Sequence, residues 1–190
     1  MRGEGFRGSS LPRAILQIVG ISGVVLAALV APNAVRLFRG WGRDWNEIGR
    51  QEQHRIRAAL ERLRQRRLVK FVTRGDDTFI QVTEKGKSYL RQFRFSQLHL
   101  PKLDRWDKTW RLITFDIPEY EKQRRDILSD KLKKLGCLSL QKSVLAYPFP
   151  CRDEIDFIIS FLGISRHVLY IETGSLGSAE GLARKYFRLL

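Results

Sequence analysis

Cysteine is nearly absent. The 190 residues contain two, Cys137 and Cys151, which excludes a disulfide framework and a zinc site built from four cysteines. Both lie in apolar or proline-rich surroundings with no basic neighbour to activate a thiol, so they are expected to be packed free thiols of the kind found in cytoplasmic chains. Histidine is scarce too. His54, His99 and His167 have no spacing that places two on one helix face, which argues against a histidine metal centre. Catalytic loop motifs are also missing. Gly174-Ser175-Leu176-Gly177 lacks the Lys-Ser/Thr of a phosphate loop and reads as a flexible connection, and no Gly-x-Ser-x-Gly elbow occurs.

Negative charge is in deficit. Thirty-five Lys and Arg face twenty Asp and Glu, a formal net charge of +15 and a pI near 10.4. The excess is uneven: residues 1–100 hold 19 basic and 8 acidic side chains, residues 101–190 hold 16 and 12. A basic first half beside a nearly balanced second half points to two modules, the first facing a polyanion, either nucleic acid or an anionic membrane surface. With 43% hydrophobic residues the chain has the composition of a folded protein rather than a disordered one.

Residues 14–31 carry no charge, a length at the lower limit of a membrane span. Gln17, Gly20, Ser22 and Gly23 interrupt the run. Arginines flank both ends (Arg2, Arg7 and Arg13 before it, Arg36, Arg39 and Arg43 after), so the positive-inside rule gives no orientation. The favoured expectation is a buried helix over 12–30 stopped before Pro32, then a short helix over 33–39 capped by Asn33. A membrane anchor is the alternative.

Over 50–67 the period is helical. Ile56, Ala59, Leu60 and Leu63 make one apolar stripe, and Arg50, Arg55, Arg57, Arg62, Arg64, Arg66 and Arg67 occupy the other faces. The period then shortens. Residues 68–72 and 79–82 read as strands joined by a turn at 74–77, and Thr83 caps a helix running to about residue 93. Helix, short helix, basic helix, two-stranded wing and helix is the winged helix-turn-helix order over 11–93, and RLVKFVTRGDDTFIQVTEKGKSYL resembles the end of many bacterial regulator domains of that kind. The resemblance implies that the basic helix enters the major groove of double-stranded DNA. Gln51, Gln53, His54 and Arg57 would then face base edges, where Gln suits adenine and Arg suits guanine. Arg50, Arg64 and Arg74 would meet phosphates, which position without specifying.

After an expected linker over 94–108 the chain changes character. Strands are expected over 110–115, 137–141, 143–147 and 168–172. Between them stand a helix over 120–135, with Ile127, Leu128, Leu132 and Leu135 inward and Gly136 as its stop, and a helix over 153–162. The order βαββαβ over 109–175 is a ferredoxin-like unit, making the chain α+β, with a terminal helix in 176–190 and a flexible start over 1–10. The segment WRLITFDIPEYEKQRRDILSDKLKKLGCLSLQKSVLAYPF resembles the small dimeric endonuclease of CRISPR adaptation and the central domain of PaaX-type repressors. Winged helix first is the repressor order. PaaX repressors continue into a third, helical domain, whereas residues 178–190 supply one short helix here.

The resemblance implies a PaaX-like DNA-binding regulator of the repressor type, non-enzymatic and without cofactor, cytoplasmic, and homodimeric through its second domain. The alternative is a magnesium-dependent nuclease or adaptation-like nucleic-acid-binding protein. In the nuclease group the aspartate ending the first strand shares a divalent metal with its symmetry mate, and Asp116 is the matching residue. Against that, Asp116 and Glu119 around Pro118 read as helix capping, and Arg124 and Arg125 as partners of nearby carboxylates.

Overall fold

The computed structural model describes residues 12, 15, 16, 24–26, 50–74 and 77–189. The expected flexible start at 1–10, the short helix at 33–39 and the turn residues 75 and 76 lie outside the described residues. The chain is mixed α+β with antiparallel sheets and divides into two compact units, 1–94 and 95–190.

In the first unit β1 is Val24–Leu26, α1 Arg50–Gln65, β2 Val69–Arg74 and β3 Asp77–Val82. Helix α2 starts at Glu84 and runs to Gln97, across the boundary between the units. β3 lies centrally, with Val25 of β1 on one side of Ile80 and Phe71 of β2 on the other, giving the order β1-β3-β2. This corrects the expected helix over 12–30. Pro12, Ile15 and Leu16 are helical, but Val24–Leu26 is a strand. The β-branched pair Val24-Val25 follows Gly20 and Gly23, and an apolar run of this kind has no period to separate strand from helix. Among the described residues no helix is long and apolar enough to cross a membrane.

The stripe on α1 faces inward as expected. Ala59, Leu60 and Leu63 are buried with Leu16, Leu68, Val69, Ile80 and Val82, and Ile56 packs at the margin. Each fully buried leucine contributes about 1.5–3 kcal/mol. Helix α1 ends in a Schellman turn: Leu68 N–H donates to Leu63 O at 3.0 Å, and Arg67 N–H to Arg64 O at 2.8 Å. Arg67 adopts the left-handed conformation (φ 58°) usually given to glycine.

One junction then ties the hairpin to both helices. Thr83 N–H donates to Leu68 O at 3.0 Å, and its hydroxyl donates to Arg67 O at 2.7 Å. The same hydroxyl accepts Gly86 N–H at 3.0 Å, the expected N-cap of α2. Gly86 has to be glycine here, because a β-carbon would lie 2.1 Å from Leu68 O.

In the second unit β4 is Trp110–Phe115, α3 Lys122–Lys134 behind a short 3-10 turn (Glu119–Glu121), β5 Leu138–Gln141 and β6 Val144–Tyr147. Then come α4 Arg152–Leu162, β7 Val168–Thr173 and α5 Glu180–Phe187. The sheet is antiparallel in the order β5-β6-β4-β7. Ile113, Phe115 and Leu145 pack with Leu128 and Leu132 of α3 and with Ile155 and Ile158 of α4. Ile127, expected inward, is exposed. Leu128, Leu132 and Leu135 share a face at steps of four and three residues, and Ile127 sits about 100° out of phase with Leu128. Gly136 (φ 94°) and Gly163 (φ 68°) close α3 and α4, each with the next residue's N–H donating back into the last turn at 3.0 Å.

The expected linker over 94–108 is instead largely packed. Residues 95–97 complete α2, and Phe95, Leu98, Leu100 and Trp106 lie against the core of the second unit. Phe95 stacks on Phe161 with centroids 4.5 Å apart, and Tyr147 donates its hydroxyl to Pro101 O at 2.8 Å. Aromatic rings every few residues bury too much apolar area to stay in solvent.

Both cysteines are buried. Burial pushes the Cys151 thiol from its ordinary 9.0 up to about 11, raises Cys137 further, and lifts the Tyr147 and Tyr170 phenols from 10.0 to about 12.

Two outcomes follow from these contacts. Gly86→Ala drives a methyl into a backbone carbonyl and is expected to destabilise the first unit by about 1–3 kcal/mol, despite the better helix propensity of alanine. Urea unfolding checks this, and an unchanged midpoint would contradict the close crossing. The raised thiol and phenol values mean that the unfolded chain loses these protons first as pH rises. Stability is therefore expected to be intact below pH 9 and to fall between 9 and about 12. Thermal melts across that range test the sign, and a Cys151→Ala variant should show a shallower fall.

Candidate nucleic-acid interface

Because Ile56, Ala59, Leu60 and Leu63 fix the inward face of α1, the opposite face points outward. Arg50, Gln51, His54, Arg55, Arg57, Arg62 and Arg64 are exposed, and Gln53 is half-buried. Arg50, Gln51, His54 and Arg57 occupy the first half of the helix within two turns, so four of the seven expected contact residues share one exposed region. Arg74 ends β2, 17 residues beyond Arg57 in the chain, opposite Asp77 in the hairpin register.

Arg64 is exposed and paired within its own helix. Its guanidinium donates to Glu61 at 2.9 Å and lies 6.0 Å from the centre of the Phe71 ring. Arg66 lies 5.7 Å from the Tyr89 ring, and Arg62 Nε donates to Ala58 O at 3.1 Å. The C-terminal half of α1 thus has its cations drawn onto neighbouring groups, where they also favour the helix dipole. The Glu61–Arg64 spacing of three residues is the signal that sequence reading passed over.

Asp116 lies at the end of β4 in the second unit. Its N–H donates to His167 O at 2.9 Å, and its exposed carboxylate lines a cleft of about 450 Å³ with Thr114, Ser143, Arg166 and His167. Asp116 is the one carboxylate among those residues, and Arg166, the cation among them, lies 3.9 Å from Glu121. Arg166 Nε donates to His167 Nε2 at 3.0 Å, so this nitrogen is an acceptor. Among the described residues no group of three or more His, Cys, Asp or Glu is arranged to hold a metal ion.

Helix capping by Asp116 and Glu119 is not found. No side chain caps the 3-10 turn or α3, because Glu119 is taken by Arg125 at 3.0 Å. Arg124 pairs with Glu121 at 3.2 Å. Both arginines therefore take the carboxylate partners expected of them.

Residues 103–183 match the family model for the PaaX protein central Cas2-like domain. The resemblance of the segment 110–149 to the PaaX central domain is borne out over that stretch. No curated protein matches the chain.

Proposed function

We propose that this chain, whose residues 103–183 are of the PaaX central-domain type, is a DNA-binding transcriptional regulator of the repressor type. In this reading the first unit is a winged helix and the second a ferredoxin-like dimerisation domain. The observation that carries the reading is the exposed row Arg50, Gln51, His54 and Arg57 on a helix whose opposite face is locked into a core. The order β1-β3-β2 supports a winged helix, with β2 and β3 as the wing and β1 as the third strand. The βαββαβ order with second, third, first and fourth strands adjacent supports the ferredoxin-like assignment.

In this role Gln51, Gln53, His54 and Arg57 read base edges. Arg50 and Arg74 hold phosphates, with Arg64 joining them on release from Glu61. The dimer is supported by the sheet face away from α3 and α4. Leu112 stands opposite Ala146 on one side and Ile171 on the other, and Thr114 opposite Val144 and Leu169. Leu169 is 65% and Ile171 43% exposed. An apolar, self-complementary patch of this kind suits a two-fold pairing with a second copy. A dimer presents two copies of α1 to two half-sites one or more helical turns apart.

The test is fluorescence anisotropy on duplexes tiled from the region upstream of the protein's own gene against a scrambled duplex, across a salt series. One duplex is expected to be preferred at moderate salt, and equal, salt-fragile binding to all would overturn the reading. Arg57→Ala should relax base preference by about 1–3 kcal/mol. Arg50→Ala should weaken every duplex alike and lower the salt slope by about one. Separately, Leu169→Glu is expected to convert a dimer into a monomer in light scattering, and a wild-type monomer at high concentration would remove the dimer.

A further inference from the structure

The second unit carries a cleft of about 560 Å³ lined by Asp104, Arg105, Trp106, Lys108, Arg184 and Arg188. That volume is in the range of small-ligand pockets. Four cations face one carboxylate there, in the half of the chain whose overall charge is nearly balanced. The cleft is also built at a conformational cost. Among the described residues three that are not glycine have a left-handed backbone, and two of them, Lys108 (φ 60°) and Arg188 (φ 55°), line this cleft. Glycine is the favoured residue in that conformation, and here the chain carries a cation instead.

Both positions are held from behind. Asp107 Oδ1 accepts Thr109 N–H at 3.0 Å and Arg111 Nη1 at 2.7 Å, which fixes the turn that contains Lys108. Leu189 N–H donates to Arg184 O at 3.0 Å, which fixes the turn that contains Arg188. Arg184 Nε is held by Glu180 at 2.8 Å, while Glu180 Oε2 accepts Trp110 Nε1 at 2.9 Å and Leu176 N–H at 3.0 Å. Glu180 is thereby fully engaged with the scaffold.

The Trp106 ring is not a platform for an aromatic ligand. Arg184 lies 4.8 Å from its centre, and Trp110 is tilted against it at 4.8 Å. What remains to recognise a ligand is positive charge. Each phosphate group carries about −1.5 to −2 at neutral pH; with the charge of Arg184 already answered by Glu180, Arg105, Lys108 and Arg188 remain, three cations where one phosphate group calls for two.

We infer that this cleft binds a small anion with two adjacent phosphate groups, held by Arg105, Lys108 and Arg188. The recognised chemistry is the diphosphate itself, free or as the tail of a nucleotide. Calorimetry on the full chain with pyrophosphate, ADP and adenosine tests it. Pyrophosphate and ADP are expected to bind and adenosine not. The tighter of the two binders identifies the source.

The double variant Lys108→Gly/Arg188→Gly removes two charges and relieves both left-handed residues, so a loss of binding cannot be ascribed to misfolding. It is expected to bind pyrophosphate about tenfold more weakly or worse, with a thermal midpoint that is unchanged or raised. Pyrophosphate affinity unchanged in that variant, no heat from pyrophosphate or ADP, or adenosine binding as well as ADP would each overturn the inference.

Discussion

The second unit depends on the burial of one cation. Arg111, on the central strand β4, is 4% exposed, and an arginine at that depth is tolerated only if its charge and donors are met. Asp107 takes Nη1 at 2.7 Å, and the carbonyls of Thr109 and Pro148 accept from the same nitrogen at 2.8 and 2.9 Å. Glu172 on β7 stands 3.6 Å from Nε, which makes no hydrogen bond. The hydrogen bond from Arg111 holds the Asp107 carboxyl below its usual value. One guanidinium thus joins the segment before β4, the turn after β6 and the edge strand β7. Because Asp107 is shared between Arg111 and the turn at Thr109, the shape of the cleft beside Trp106 and Lys108 follows from the same charge.

The first unit solves a different problem with neutral groups. A basic helix cannot be held by its charged faces, so α1 is held by its apolar stripe and by the crossing of Thr83 and Gly86 under Leu68. The Schellman turn at Arg67 lets β2 begin with only three residues between it and the end of α1. Among the described residues the core that holds α1 is built from its apolar stripe, and Arg50, Gln51, His54 and Arg57 lie outside it.

The legible part of the sequence was the part with a period. The stripe Ile56-Ala59-Leu60-Leu63, the strand-end Asp116-Ile117-Pro118 and the stop at Gly136 all announce elements through spacing or through a residue with one conformational use. Three kinds of feature gave no such signal. The run 14–31 is apolar throughout, so the strand Val24–Leu26 had no alternation to betray it. Ile127 sits beside Leu128, and adjacent apolar residues leave the helical phase open by one position. Lys108 and Arg188 occupy left-handed turns where glycine is the readable signal, and they reach one cleft from positions 80 apart in the chain. Only the third dimension assembles that site, and the candidate residues on α1 were legible because they lie on a single helix.

Charge pairing separates the two surfaces further. In the second unit carboxylates claim Arg111, Arg124, Arg125 and Arg184 at hydrogen-bonding distance. Apart from that of the buried Arg111, exposed pairs of this kind contribute about 0–1 kcal/mol each, so their effect on stability is small. On α3 they answer Arg124 and Arg125, while Lys108 and Arg188 stand at the cleft beside Trp106. On α1 the pairing falls at the C-terminal end, where Glu61 holds Arg64. Among the described residues the pairing is therefore uneven, and the first half of α1 keeps Arg50, His54 and Arg57 exposed while Arg64 near its end is held by Glu61.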